Sequence, residues 1–225
     1  MSVSDNLNKV KQHVPSHVTL VAISKTHPVD HIMEAYNAGQ RVFGENKVQE
    51  MVSKQEVMPK DIQWHLVGHL QSNKIKYIAP FVTLIHSVDS LKLLVAINKE
   101  AVKANRVIDC LLQVYIAEEE TKFGLSVEEL TELLESEEYK QLTHVRVCGV
   151  MGMATFTDNE DQIRKEFKSL KTIFTNLKNS YFPNTDSFRH ISMGMSGDYA
   201  IAIEEGSTMI RVGSSIFGHR AYNSN

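Results

Sequence analysis

A chain of 225 residues, 42% hydrophobic and 23% charged, has ordinary globular composition and enough length for a substantial core in one domain. Its formal net charge of -3 excludes the basic field expected of a nucleic-acid binder or of a protein held on anionic lipid. Two cysteines, Cys110 and Cys148, each inside an apolar run, exclude a disulfide framework and read as buried free thiols in a reducing compartment.

The N-terminal residues lack the apolar segment of a signal peptide, and no window holds the roughly 18 apolar residues of a membrane span. A soluble cytoplasmic protein is expected. The first predicted strand, 18–24 (VTLVAIS), is bounded by Pro28 and runs directly into Ser24-Lys25-Thr26. An ammonium at the end of a buried strand is expensive unless it is paired or reacted. Taken alone, Lys25 reads as a lysine whose head snorkels into water.

A helix at 29–38 precedes a second strand, 41–44, which leads into Gly44-Glu45-Asn46 and a helix at 46–57. Strand 62–67 carries His65 and ends at Gly68-His69; after a helix at 72–79, strand 82–87 closes on His86-Ser87. A helix at 89–104, strand 107–116, the solvated acidic loop Glu118-Glu119-Glu120 and a helix at 126–136 follow. Strand 144–151 ends in Met151-Gly152-Met153-Ala154 before a long helix at 159–179. Strand 188–192 leads into Ser192-Met193-Gly194-Met195-Ser196-Gly197-Asp198, a helix at 196–204, and a last strand, 208–213, with Gly213-Ser214-Ser215 at its end. Asp89 and Asp158 are the expected helix N-caps, the latter with Asp161 three residues on.

Strands alternating with helices imply parallel βαβ units. Eight of them in this length point to an α/β fold, a single-domain (β/α)8 TIM-type barrel over 1–225. A doubly wound open sheet would show a glycine fingerprint after an early strand, and none is present. In such a barrel chemistry sits at the carboxyl ends of the strands, and phosphate is commonly held by the loops after strands 7 and 8. Ser192–Gly197 supplies hydroxyls and two glycines that let backbone N–H groups approach an oxyanion. Gly213–Gly218 can start a helical turn with exposed amides.

A lysine in an apolar barrel mouth opposite a phosphate site suits a Schiff base, because desolvation favours the neutral, nucleophilic amine. A phosphorylated aldehyde cofactor, pyridoxal 5′-phosphate (PLP), would satisfy both ends. Arg211 would then lie near the ring and disfavour protonation of the pyridine nitrogen.

The segments AISKTHP, FGENKVQE, WHLVGHLQSNKIKYI, GVMGMATF and ISMGMSGDYAIAIEEGSTMIRVGSSIFG together resemble the YggS/PROSC family of PLP homeostasis proteins, from about residue 6 to residue 219. Members of that family resemble the barrel domain of alanine racemase without its C-terminal β-domain. The resemblance implies that Lys25 carries PLP as an internal aldimine. It also implies that Arg211 and Gly213 sit at the pyridine nitrogen and the phosphate, that Asn46 lies close to the cofactor, and that Ser214 with Ser192, Met195 and Ser196 completes the phosphate cup. Relatives often have Pro where His69 stands, which leaves the role of His69 open.

Other signals are weaker. His65 and His69 are four apart but straddle a strand end, so they do not share a helical face, and no metal is expected. Met151, Met153, Met193 and Met195 read as filling an irregular mouth. The remaining histidines look scattered and suggest no relay, and Gly68–Lys74 lacks the second glycine of a P-loop. The leading functional expectation is a PLP carrier or buffer with little turnover, no established catalytic residue beyond Lys25, and PLP-dependent apo-enzymes and free amino acids as partners. A PLP-dependent amino-acid racemase is the alternative, and a cofactor-free Schiff-base aldolase a third. The chain ends at Asn225 with no dimerising β-domain, so a monomer is expected and the carrier reading is favoured.

Overall fold

The computed structural model describes residues 1–121 and 123–219. Its eight strands are all parallel and close into a barrel in chain order, with β8 pairing back onto β1. They are β1 (Thr19–Ile23), β2 (Val42–Glu45), β3 (Gln63–Leu66), β4 (Leu84–Val88), β5 (Ile108–Gln113), β6 (Val145–Met151), β7 (His190–Ser192) and β8 (Met209–Val212). This is the (β/α)8 barrel expected from the alternation of short apolar runs with amphipathic ones. The predicted domain runs to Asn225, of which 220–225 lie outside the described residues.

The helices wrapping the barrel are α1 (Val3–Gln12), α2 (Val29–Asn37), α3 (Val48–Val57), α4 (Ile75–Ile78), α5 (Leu91–Lys103), α6 (Val127–Glu135), α7 (Glu137–Lys140), α8 (Glu160–Tyr181), α9 (Tyr199–Glu204) and α10 (Ser214–Phe217). Three differences from the sequence reading have local causes. Helix α1 was not expected; Ser2 and Asp5 form a reciprocal capping box, and Val3, Leu7 and Val10 make its buried stripe. The N-caps of α5 and α8 are Ser90 and Asn159, not Asp89 and Asp158; each is one residue further on and accepts a backbone N–H through its side-chain oxygen. The run 72–79 is a 3-10 turn at Ser72–Lys74 followed by only the single turn of α4.

Period-two alternation divides the core into two layers. Val21, Ile23, Leu84, Leu111, Cys148, Met151 and Met209 fill the barrel interior. The alternate residues, among them Ala22, Phe43, Leu66, Ile85 and Ile210, pack outward against the helices. Burying such side chains is worth about 1.5–3 kcal/mol each, so the strands hold their alternation rigidly. Both cysteines are free and buried; burial pushes the Cys148 thiol up to about 11 and Cys110 well above its ordinary value. Among the described residues no helix is long and apolar enough to cross a membrane.

Candidate functional site

Alternation along β1 places Lys25. Val21 and Ile23 face the barrel interior, Ser24 turns outward to Glu45, and Lys25 continues the inward row above Ile23. It lines a cavity of about 710 Å³ at the carboxyl ends of the strands. The same cavity is lined by Asn46 after β2, His69 after β3, Met195 and Ser196 after β7, and Arg211, Gly213 and Ser214 on and after β8. The barrel thus brings seven of the eight expected cofactor residues to one opening.

Ser192 is the exception. It is fully buried and lies beneath the cavity floor, where its Oγ accepts from Arg211 Nη1 at 2.6 Å. The inward row on β7 stops one step below the mouth, so Ser192 reaches Arg211 rather than the open space. The methionines divide in the same way. Met153 and Met195 line the mouth, whereas Met151 belongs to the barrel interior and Met193 to the outer layer.

On the β7–β8 side, the backbone N–H groups of Gly213 and Ser215 both donate to Ser196 Oγ, at 3.2 and 3.3 Å. Two backbone amides thus converge on one hydroxyl oxygen at this corner of the cavity. A Cβ on Gly197 would meet nothing within 4 Å, and one on Gly213 would press on the Ile23 carbonyl at 3.2 Å. The corner is open, and its backbone is approachable because Gly213 has no side chain.

Arg211 forms the floor. Its Nη2 donates to the Gly152 carbonyl at 3.1 Å, and burial lowers its guanidinium to about 10, with Asp198 acting in the opposite sense. Asp198, also on the cavity wall, is raised by burial although its Oδ1 accepts the Met195 N–H at 2.7 Å.

Contrary to the reading of the histidines as unconnected, His65 and His86 form part of a file inside the barrel. His65 Nδ1 lies 2.9 Å from His86 Nε2, and His86 Nδ1 lies 2.9 Å from Ser192 Oγ. An arginine only donates, so Ser192 Oγ accepts from Arg211, and its second lone pair or its own O–H meets His86 Nδ1 according to the ring tautomer. Between the rings, one N–H meets the other ring's unprotonated nitrogen. Both rings are neutral: burial pushes His65 down to about 3 and His86 well below its usual range. No spacing in the sequence announces this file, because its members come from β3, β4, β7 and β8.

A second cluster was also missed. Lys54 on α3 bonds Glu45 Oε1 at 2.6 Å and Glu50 Oε1 at 2.7 Å. The Glu50–Lys54 spacing of four on one helix was a legible signal. Apolar side chains collar the mouth as well: Phe123 and Phe156 line the opening, and Phe156 is fully exposed.

Comparison with known proteins agrees with this geometry. The family model described as "Alanine racemase, N-terminal domain" matches residues 2–221. A pyridoxal phosphate homeostasis protein of Aquifex aeolicus is 42% identical over 204 residues, covering 90% of this chain and 87% of the relative. The structure of PipY from Synechococcus elongatus with PLP bound superposes with a TM-score of 0.87 at 36% identity, over 96% of this chain and 100% of that one. Alanine racemase of Bartonella henselae shares the fold at a TM-score of 0.71 and 15% identity, with 97% of this chain matching 60% of the racemase. The chain belongs to the alanine racemase N-terminal-domain family and, within it, to the pyridoxal phosphate homeostasis proteins.

Proposed function

We propose that this protein binds PLP, attaches it covalently through Lys25 Nζ, and serves intracellular PLP homeostasis with little or no turnover. The observation that carries the reading is the pairing, in one cavity, of Lys25 with the two amides converging on Ser196 Oγ. The likeness to PipY, whose structure holds PLP, supports the same ligand.

When bound, PLP supplies an electrophilic aldehyde carbon and a ring that accepts electron density. The chain's own residues do the rest. Lys25 presents its amine from the inward row of β1. Ser196, Gly213 and Ser214 receive the phosphate through hydroxyls and backbone N–H groups, with Met195 beside them on the cavity wall. Asn46 offers a polar contact to the ring. Arg211, held on Ser192 and Gly152, keeps a positive charge at the floor and withholds a proton from the pyridine nitrogen, which weakens the ring as an electron sink. Low turnover follows from that weakening.

The reading also takes the chain as a single domain over 1–225, monomeric and cytoplasmic, exchanging PLP with apo-enzymes that need it. A visible spectrum of the purified protein tests the ligand. A yellow protein that borohydride bleaches, with the adduct mapped by mass spectrometry to Lys25, is expected. A colourless protein that takes up no added PLP would overturn the reading, and an adduct elsewhere would remove Lys25 from it.

A further inference from the structure

Lys25 stands in a turn that is hard to make. The next residue, Thr26, has a φ of 65°, a left-handed conformation that a β-branched residue rarely adopts and that persists only where the surroundings enforce it. The turn is closed by the His27 N–H donating to the Ser24 carbonyl at 3.1 Å, and two side chains brace it on either side of Lys25. On one side the Ser24 carbonyl accepts from Lys54 Nζ at 2.8 Å. On the other the Thr26 N–H donates to Glu50 Oε1 at 2.5 Å.

The two braces are joined to each other. Lys54 Nζ bonds Glu50 Oε1 at 2.7 Å and Glu45 Oε1 at 2.6 Å, and Ser24 Oγ donates to the same Glu45 oxygen at 2.6 Å. Lys54 and Glu45 are both buried. Glu45 Oε2 is the buried side-chain polar atom left without a partner among the described residues. Taking these charges out of water is costly, and a buried ion pair is weak evidence for added stability. Here the cluster secures both peptide groups flanking one lysine, and neither Lys54 nor Glu50 lines the cavity.

We propose that Lys54 and Glu50 are positioning residues for Lys25: through the Ser24 carbonyl and the Thr26 N–H they lock the left-handed turn that projects its Nζ into the cavity. The inference rests on the reading of Lys25 as the attachment point. In that step the Nζ lone pair bonds the aldehyde carbon, and the aldehyde oxygen leaves as water with both amine protons. The braces act by holding Nζ on line with the carbon, not by touching the ligand.

The test compares two ligands that differ only at the reacting atom. PLP forms the covalent bond, whereas 4′-deoxypyridoxine 5′-phosphate keeps ring and phosphate but has no aldehyde. In Glu50→Ala, PLP affinity is expected to fall about ten-fold or more and the visible band to form more slowly, while the deoxy analogue binds as to wild type. Glu45→Gln combined with Lys54→Met removes the buried charges together rather than stranding one, and gives the same split should Glu50→Ala not fold. Asparagine tolerates the left-handed region, so Thr26→Asn in the Glu50→Ala background should recover PLP affinity. Equal weakening of both ligands, unchanged PLP binding, or no recovery with Thr26→Asn would each overturn the proposal. Lys25→Ala separates the two levels: a borohydride adduct surviving there defeats the attachment reading itself, whereas its loss beside an unaltered Glu50→Ala defeats only the positioning role.

Discussion

Arg211 Nη1 donates to Ser192 Oγ at 2.6 Å, which ties the cation at the cavity floor to the two histidines buried beneath it. The guanidinium cannot accept, so Ser192 accepts from it, and two neutral rings continue the file below. A proton on His86 would make both its nitrogens donors and set a second buried cation beside Arg211. Arg211 is thereby fixed as a cation facing the cavity, supported from below by neutral rings.

Acid should therefore loosen this protein. His65 is neutral in the fold down to about pH 3, and His86 is likewise held well below its usual value. Unfolded, each takes a proton below about pH 6.5. The unfolded state then binds more protons, so stability is full above that value and falls as pH drops from about 6.5 towards 3, by at most about 1.4 kcal/mol per pH unit for each ring. Urea melts at pH 7.5, 6.0 and 5.0 check it, and His65→Gln should show a shallower acid slope. Equal slopes in the two proteins would mean that the file does not govern the acid limb.

Lys25→Ala is expected to lose the visible absorbance of the lysine-bound cofactor while keeping the wild-type far-UV spectrum. Lys25 stands at the edge of the cavity rather than in the core, so its loss opens no packing defect. Residual non-covalent binding through the phosphate corner is compatible with this. A mutant that still yields a borohydride-stable adduct speaks for another lysine.

Substitutions in the phosphate corner should weaken retention strongly. Ser214→Asp sets a carboxylate against a dianion. Gly213→Glu adds a charge, and a Cβ that meets the Ile23 carbonyl at 3.2 Å. Equilibrium dialysis reads both; affinity equal to wild type would move the phosphate to a different part of the cavity.

Stability should be far more sensitive at one glycine than at another. A Cβ on Gly149 would sit 1.9 Å from the His190 carbonyl oxygen across the β6–β7 pairing, whereas one on Gly197 meets nothing within 4 Å. Gly149→Ala should cost about 3 kcal/mol or more, and Gly197→Ala stay within about 0.5 kcal/mol. Similar melting temperatures for the two variants would contradict the close strand approach.

Turnover should be negligible. With Arg211 at the floor, D- and L-amino acids are expected to perturb the spectrum or exchange a Cα proton slowly, without net racemisation. Chiral chromatography after long incubation decides this, and brisk racemisation of any one amino acid, absent in Lys25→Ala, would place the protein among the enzymes.

Much of this was legible along the chain because the determinants are local. Alternating apolar runs set the strands, and the residue types at strand ends, Ser24-Lys25-Thr26 and Gly213-Ser214-Ser215, marked the mouth before any geometry was known. The helix caps were misplaced by one residue, since Asp89 and Ser90, or Asp158 and Asn159, are equally good cap types and only backbone geometry chooses between them. Ser192 was assigned to the phosphate loop because the chain continues from it into that loop; the inward pleat of β7 instead sets it under Arg211. The His65–His86–Ser192–Arg211 file belongs wholly to the tertiary structure. Its members come from four strands spread over nearly 150 residues of chain, and they meet only because closing β8 onto β1 turns one face of every strand towards a common axis.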